Sequence, residues 1–281
     1  MTGIASAPAS SGNLGPGFDV IALALEVRCT CEAAPGDRWV VEEQGRAYEP
    51  SPDDLVVRAV NAVVGDRPMR LRIDNRIPRS RGLGSSSAVA TAAAAAAVRA
   101  VGLEPHDRLL FDVVTDLEGH PDNAAAAVYG GLVAACDSVV VPMALAPGLR
   151  VIVGIPAHKL STRRARAALP AAVRHETAAR SVARVAMLIE GLRTGDPEAL
   201  AVAGGDELHE LPRRDLSPIT AELMEAARSA GALHAAWSGA GPSVIAFVTD
   251  DTAEDVARAM GKVLDGSGDV MPVDVALEGW R

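Results

Sequence analysis

One segment restricts the fold of this chain more than any other. Residues 78–91 read P-R-S-R-G-L-G-S-S-S-A-V-A-T, and six alanines follow at 92–97. Alanine is the best helix former, so the tract predicts a helix from Ser86 to about Val101. Glycine and serine suit the entrance of a helix rather than its interior. The segment therefore reads as a loop feeding a helix N-terminus. That end carries free N–H groups and partial positive charge, and it suits an anion, above all phosphate. Gly82 and Gly84 let the backbone come close to such an anion, Ser85, Ser86 and Ser87 offer hydroxyls and amides, and Arg81 offers charge. An ordinary serine-capped helix after a tight turn has the same outward features. The pattern is not G-x-x-x-x-G-K-[ST], and the chain's lysines, Lys159 and Lys262, lie elsewhere. Nor is it G-x-G-x-x-G, because Ser87 takes the place of the third glycine.

The 281 residues allow one large domain or two ordinary ones, and an apolar share of 49% is enough for a real core. Aromatics make up only 3%, so that core is built from Ala, Val and Leu. A net charge of −9 without a basic run argues against nucleic acid as the main partner, though not against a phosphorylated ligand in a locally positive cleft. Cys29, Cys31 and Cys136 are too few and too dispersed for a disulfide framework, and V-R-C-T-C reads as a strand with two core-facing cysteines. The N-terminus lacks the pattern of a signal peptide, and no apolar run is long enough to span a bilayer. The expectation is a cytoplasmic protein with no membrane partner.

Periodicity predicts strands at 20–31, 69–73, 130–136, 150–155, 243–248 and 270–277. It predicts helices at 55–65, 108–119, 220–231 and 253–264, and a further helix with Val182, Val185, Ile189 and Leu192 on one face. P-G-L-R at 147–150 is the best boundary, giving units of 1–148 and 149–281 in an α+β (or α/β) chain of two domains. Three further stretches read as loops that surface connection alone does not require. They are S-A-P-A-S-S-G-N-L-G-P-G-F-D (6–19), E-G-H-P-D-N (118–123) and W-S-G-A-G-P-S (237–243). Their Asn, Asp, His and Glu are the side chains of a polar pocket or metal site.

With these motifs assembled, the chain resembles the GHMP kinase superfamily, and within it the homoserine kinase branch. P-R-S-R-G-L-G-S-S-S-A (78–88) looks like the superfamily's phosphate-binding motif and W-S-G-A-G-P-S like its C-terminal glycine motif. N-L-G-P-G-F-D (13–19), E-G-H-P-D-N, S-T-R-R-A-R-A-A-L-P (161–170) and H-E-L-P-R-R-D-L-S-P (209–218) are similar to the narrower branch. The matches run in order along nearly the whole chain. The resemblance implies an N-terminal domain like domain 2 of ribosomal protein S5, a ferredoxin-like C-terminal domain, and substrates meeting between them. A homodimer is also what it suggests.

It implies roles as well. Pro78, Arg79, Ser80, Arg81, Gly82, Leu83, Gly84, Ser85, Ser86, Ser87 and Ala88 would hold the ATP phosphates, and Ser238, Gly239, Ala240 and Gly241 would close the site from the second domain. Ser86 and Glu118 would be Mg2+ ligands, Glu118 being an acidic oxygen suited to a hard cation. Arg166 and Arg213 would bind the carboxylate of L-homoserine, and Asn13, Asp19, His120 and Asn123 its amine and hydroxyl end. Thr162 would support the transfer, and Ser86, Asp19, Glu118 and Asn123 would be closest to the chemistry. Asp54, Leu55 and Val56 would lie at the adenine pocket.

Read without the resemblance, Arg166 in R-R-A-R is a solvated basic face, His120 caps a turn, Asp19 ends an element, and Arg213 is exchangeable with Arg214. Gly12 stands where the branch usually has alanine, a departure expected to be harmless, and Asp54 where it often has asparagine. The rival readings are a GHMP-type kinase for another small hydroxy acid or amino alcohol, a non-catalytic nucleotide or metabolite sensor on the same fold, and a purely structural α/β protein.

Overall fold

The computed structural model of the chain describes all residues, 1–281. The first unit is a seven-stranded sheet with helices on it. Its elements are β1 (Gly3–Asn13), β2 (Gly17–Pro35), β3 (Val40–Glu43), β4 (Arg46–Tyr48), α1 (Leu55–Val64), β5 (Met69–Asn75), α2 (Ser85–Ala100), α3 (Asp107–Glu118), α4 (Asp122–Tyr129), β6 (Leu132–Cys136) and β7 (Val139–Met143). The strand order is β4-β3-β5-β2-β6-β7, with β1 paired antiparallel along β2. Cys29 and Cys31 both face the core, as the alternation predicts, and burial pushes the Cys29 thiol up to about 12.

The alanine tract forms α2, whose residues are all buried except Ser86 and Arg99. A helix that is apolar on every side belongs in the interior. Its methyl side chains let β1 lie close, with Ala5, Ala7 and Ala9 buried against it. Residues 6–13 were expected to be loop, and here the structure corrects the sequence. Their small residues have little strand propensity, but pairing with β2 from Gly3 to Asn13 overrides it, and only 14–16 turn. The loop expected at 118–123 is likewise shorter. Asp122 and Asn123 open the short helix α4, which follows Pro121.

The second unit comprises β8 (Arg150–Pro156), α5 (Thr162–Ala167), α6 (His175–Thr194), α7 (Pro197–Val202), α8 (Glu210–Arg213), α9 (Pro218–Ser229), β9 (His234–Trp237), β10 (Val244–Val248), α10 (Asp250–Leu264) and β11 (Gly268–Val273). Its sheet runs β11-β8-β10-β9, all antiparallel. With α9 and α10 as the crossovers this is the ferredoxin-like arrangement. One sheet face packs on α9 and α10 through Leu223, Val256 and Met260, and the other adds Val151, Val153, Ile245 and Phe247 to the large core of the first unit.

In α6 the packed face is rotated from the predicted one. Ser181, Leu188, Gly191 and Leu192 are buried and Val185 half-buried, whereas Val182 is 72% exposed and Ile189 38%. The cause is α7, whose Leu200 seats directly over Gly191. The last strand also stops earlier than expected. After Val273 the chain returns to the first unit, bridging Leu25 through Val275 and pairing Arg281 with Ser6 in both directions (2.8 and 2.9 Å). No helix is long and apolar enough to cross a membrane.

Candidate active site

A cleft of about 290 Å³ opens where the two units meet. Its floor is the start of α2. The N-cap residue is Gly84, left-handed at φ 61°, and no side chain caps the helix. The serines do not act as caps. Ser85 Oγ accepts from Asn75 Nδ2 (3.0 Å), and Ser86 Oγ hydrogen-bonds Glu118 Oε1. The first-turn amides are thus left without side-chain partners at a helix end that faces a cleft. That geometry excludes the ordinary serine-capped helix.

Gly82 (φ 75°) and Gly84 are required for a reason other than anion approach alone. A Cβ on Gly82 would run into the Ser238 carbonyl and lie 2.7 Å from Gly241 N, and one on Gly84 would overlap Ser10 Oγ. The two glycines let the loop nest between β1 and the 237–243 turn.

The structure brings together at this cleft Asn13, Asp19, Ser80, Gly82, Leu83, Gly84, Ser85, Ser86, Ser87, Glu118, His120, Asn123, Thr162, Arg166, Arg213, Gly239 and Ala240. It does not bring Pro78, Arg79, Arg81, Ala88, Ser238 or Gly241 to the cleft wall. Pro78, Arg79 and Arg81 instead line a neighbouring recess with Arg76 and Lys159. The Arg81 guanidinium is spent on the carbonyls of Pro156 (2.8 Å), Arg79 and Ala157. Asp54 is the N-cap of α1, accepting from Val56 N at 3.1 Å, and Val56 is buried; neither they nor Leu55 reach the cleft.

Opposite the serine loop lies a charged wall. Arg166 on α5 grips Asp19 with two parallel bonds, Nη2 to Oδ1 at 2.7 Å and Nη1 to Oδ2 at 2.9 Å. That bond to Asp19 raises the Arg166 pKa above its ordinary value. Arg166 is therefore no solvated face. Arg213 is 2% exposed and lines the cleft, whereas its neighbour Arg214 is exposed and does not. Burial, reinforced by the charge of Arg166, lowers Arg213 to about 10, so it stays protonated at neutral pH. Phe18 lies under both guanidinium groups, 5.7 Å from Arg166 and 5.4 Å from Arg213.

A third group comes from the α3–α4 turn. His120 Nδ1 is 2.8 Å from Asp122 Oδ1, which also accepts from Asn123 N (2.7 Å) and Nδ2 (3.2 Å). Burial pulls the His120 pKa down, but the bond and charge of Asp122 outweigh it, and the net shift is upward. Ser10 Oγ donates to Asn123 Oδ1 at 2.8 Å. Asn13 donates to Gly239 O (2.8 Å) and accepts from Asp19 N (3.0 Å), so it braces Asp19 and the second unit at once.

Asp122 lies outside the residues the motifs single out, although an acid two residues from a histidine in E-G-H-P-D-N is a signal for it. Phe18, inside N-L-G-P-G-F-D, was also missed. Gly12 proves to be matched to this cluster. A Cβ there would overlap Asp122 Oδ2 and stand 2.9 Å from Asn123 Nδ2.

The donor set suits a small, hard cation. Ser86 and Glu118 offer two oxygens side by side at the cleft mouth, which fits Mg2+, an ion that keeps several waters and takes few protein ligands. Asp19, His120 and Asp122 also have ligand atoms within 4.8 Å of one another, but those atoms are committed to Arg166, to each other and to Asn123.

Two α+β units with a cleft at their joint, uncapped amides on one wall and paired charges on the other, have the architecture of a GHMP-type kinase. Family models agree: the GHMP kinases N terminal domain matches residues 54–131 and the GHMP kinases C terminal domain residues 188–266. The chain is 40% identical over 254 residues to the homoserine kinase of Moorella thermoacetica, covering 85% of each chain. It is 37% identical over 260 residues to that of Thermus thermophilus, covering 90% of this chain and 89% of the other. The crystal structure of homoserine kinase from Cytophaga hutchinsonii superposes with a TM-score of 0.88 at 25% identity, over 100% of this chain and 96% of that one. The Methanococcus jannaschii mevalonate kinase shares the fold, with a TM-score of 0.74 at 15% identity over 97% and 98%. The chain belongs to the homoserine kinase family.

Proposed function

We infer that this protein transfers the γ-phosphoryl group of ATP to the side-chain hydroxyl of L-homoserine, giving ADP and O-phospho-L-homoserine, a step of threonine biosynthesis. The observation that carries the reading is the uncapped start of α2 facing the Asp19–Arg166 pair and Arg213 across one cleft. Homoserine is a zwitterion with a terminal hydroxyl. Arg213 keeps Nη2 without a protein partner and, with Arg166, offers the planar donors that match a carboxylate. Asp19 takes the ammonium. Asn123, with His120 and Asp122 behind it, receives the hydroxyl end.

The triphosphate lies along the amides of the serine loop. Ser86 and Glu118 would hold Mg2+, which would supply charge neutralisation at the phosphates. The homoserine oxygen bonds to the γ-phosphorus as the bond from that phosphorus to the β-phosphate bridge breaks, and the bond pair leaves with ADP.

No lysine lines the cleft. Asp19 is shared between Arg166 and the ammonium, Glu118 is turned to Ser86 and the metal position, and Asp122 Oδ1 is held by His120 and Asn123, so no cleft carboxylate is left for the hydroxyl. The hydroxyl proton therefore passes to the transferred phosphoryl group, and the rate rests on alignment and charge stabilisation. The test is ADP release with a panel of L-homoserine, L-serine, L-threonine, mevalonate and shikimate, with the product identified by mass. Preference for any alcohol without both carboxylate and amine would overturn the assignment. So would wild-type ATP binding with no turnover of any of them.

A further inference from the structure

The carboxylate-binding arginine is itself held by a buried histidine that the reaction does not use. His209 lies one helical turn before Arg213 at the start of α8, and its side chain is fully buried. Its Nδ1 is 2.9 Å from Arg213 Nη1, and its Nε2 is 2.8 Å from the Gly15 carbonyl. The ring stacks on Phe18, with centroids 5.0 Å apart and planes 20° apart. One imidazole thus touches the arginine, the loop that leads to Asp19, and the aromatic ring beneath both guanidinium groups.

The partners fix its chemical state. A guanidinium only donates, so Nδ1 must accept; a carbonyl only accepts, so Nε2 must carry the hydrogen. His209 is therefore neutral, in a single tautomer. A second proton would set an N–H against an N–H. The charged groups around the ring are Arg213, Asp206 (Oδ2 3.7 Å from Nε2) and Asp19, and the neighbouring Glu210 is held protonated by burial. Burial dominates over the Asp206 charge and lowers the histidine to about 4.

We propose that His209 is a positioning residue for the acceptor's carboxylate, holding Arg213 at the cleft wall and locking it to the 14–16 turn that leads to the ammonium site at Asp19. The proposal rests on the homoserine reading of the cleft. Arg213 has other anchors, Nε to Ala165 O (3.2 Å) and Nη1 to Gly239 O (3.3 Å), but both are carbonyls at the long end of hydrogen bonding. His209 makes the shortest of its bonds and is the only side chain among them.

The test compares His209→Ala and His209→Asn with the wild type in steady-state kinetics at pH 7.5. Asparagine places Oδ1 where Nδ1 stood and keeps an acceptor for Arg213. The expected result is a homoserine KM about tenfold higher in His209→Ala, ATP KM unchanged, kcat within about twofold, and most of the KM recovered in His209→Asn. A long-range 1H–15N spectrum of the wild type should show His209 with protonated Nε2 and bare Nδ1 at pH 7. An unchanged homoserine KM in His209→Ala, an ATP KM that rises in parallel, or the opposite tautomer would overturn the proposal. Should His209→Ala fail to fold, His209→Asn and the wild-type tautomer decide it. Wild-type protein that turns over no homoserine would instead sink the functional reading, and the tautomer would still test the geometry.

Discussion

Gly84→Ala probes the claim on which the site depends, that the α2 amides face the cleft because a left-handed glycine sets their direction. A methyl group at this position meets two obstacles. The backbone is at φ 61°, which costs an L-residue about 1–2 kcal/mol. The new Cβ also overlaps Ser10 Oγ and stands 3.1 Å from Ser10 Cβ and N. Relief takes a shift on the order of 1 Å at the first turn of α2, and a misplacement of that size costs about a hundredfold in rate. Removing the obstacle should recover most of this loss. Ser10→Gly deletes Oγ and Cβ and leaves a contact that a few tenths of an ångström relieves. Alone it breaks the bond to Asn123, worth about 1 kcal/mol, so about fivefold in kcat/KM. The predicted order of kcat/KM is wild type, Ser10→Gly, Ser10→Gly/Gly84→Ala, then Gly84→Ala, measured by coupled ADP release. Both Gly84→Ala proteins should still lose Tm, by about 2–4 °C per kcal/mol of backbone strain. Wild-type kcat/KM in Gly84→Ala, or a double variant no better than the single one, would refute the argument.

Other substitutions report on the remaining groups. Glu118→Gln should lower kcat at least tenfold and raise the Mg2+ needed for half-maximal rate; unchanged turnover across a Mg2+ titration would remove Glu118 from the metal site. Arg166→Ala should raise the homoserine KM by about tens of fold while leaving ATP KM alone, since it removes a charge-assisted fork and frees Asp19; an unaltered KM would mean that Arg213 suffices. Glu210 bears on stability rather than catalysis. Burial raises it to about 8, above its unfolded value of 4.5, so the native state holds a proton that the unfolded chain releases. Its contribution is complete below pH 4.5 and fades as pH rises through 8. Glu210→Gln, read by thermal melts from pH 5 to 9, should flatten that decline, and a decline as steep as in the wild type would show that Glu210 is not its source.

The legible parts of the chain were those where local and tertiary preferences agree. The alanine tract had to be a helix, and alternation at Cys29 and Cys31 had to be a strand. β1 was hidden because Ala, Ser, Gly and Pro carry no strand signal; its partner β2 supplies the order. The face of α6 was off by one residue at Val182 and Ile189 because α7 packs against Gly191, a contact no periodicity encodes. The site was legible as motifs before it was legible as geometry. Asp19 and Arg166 lie 147 positions apart, and nothing in the spacing says that they bind each other. His209 was recoverable, being four residues before Arg213 in a helical stretch, but a histidine in a polar run has no mark of burial. Asp54 also caps α1, a role its place before an apolar helical run makes readable.

The serine loop proposed to hold phosphate takes part in the joint between the two units. Ser238 Oγ donates to Gly82 O at 2.7 Å, Ser243 N to Arg81 O at 3.3 Å, Leu160 N to Ser80 O at 3.1 Å, and Gly239 N to Gly12 O at 2.9 Å. Arg81 and Asn13 add side-chain bonds across the same seam. A triphosphate that orders this loop therefore also tightens the junction, by mass action on the docked state. The consequence is thermodynamic coupling. Nucleotide should raise the stability of both units together, and a lesion in the 237–243 turn should weaken nucleotide binding even where it touches no phosphate.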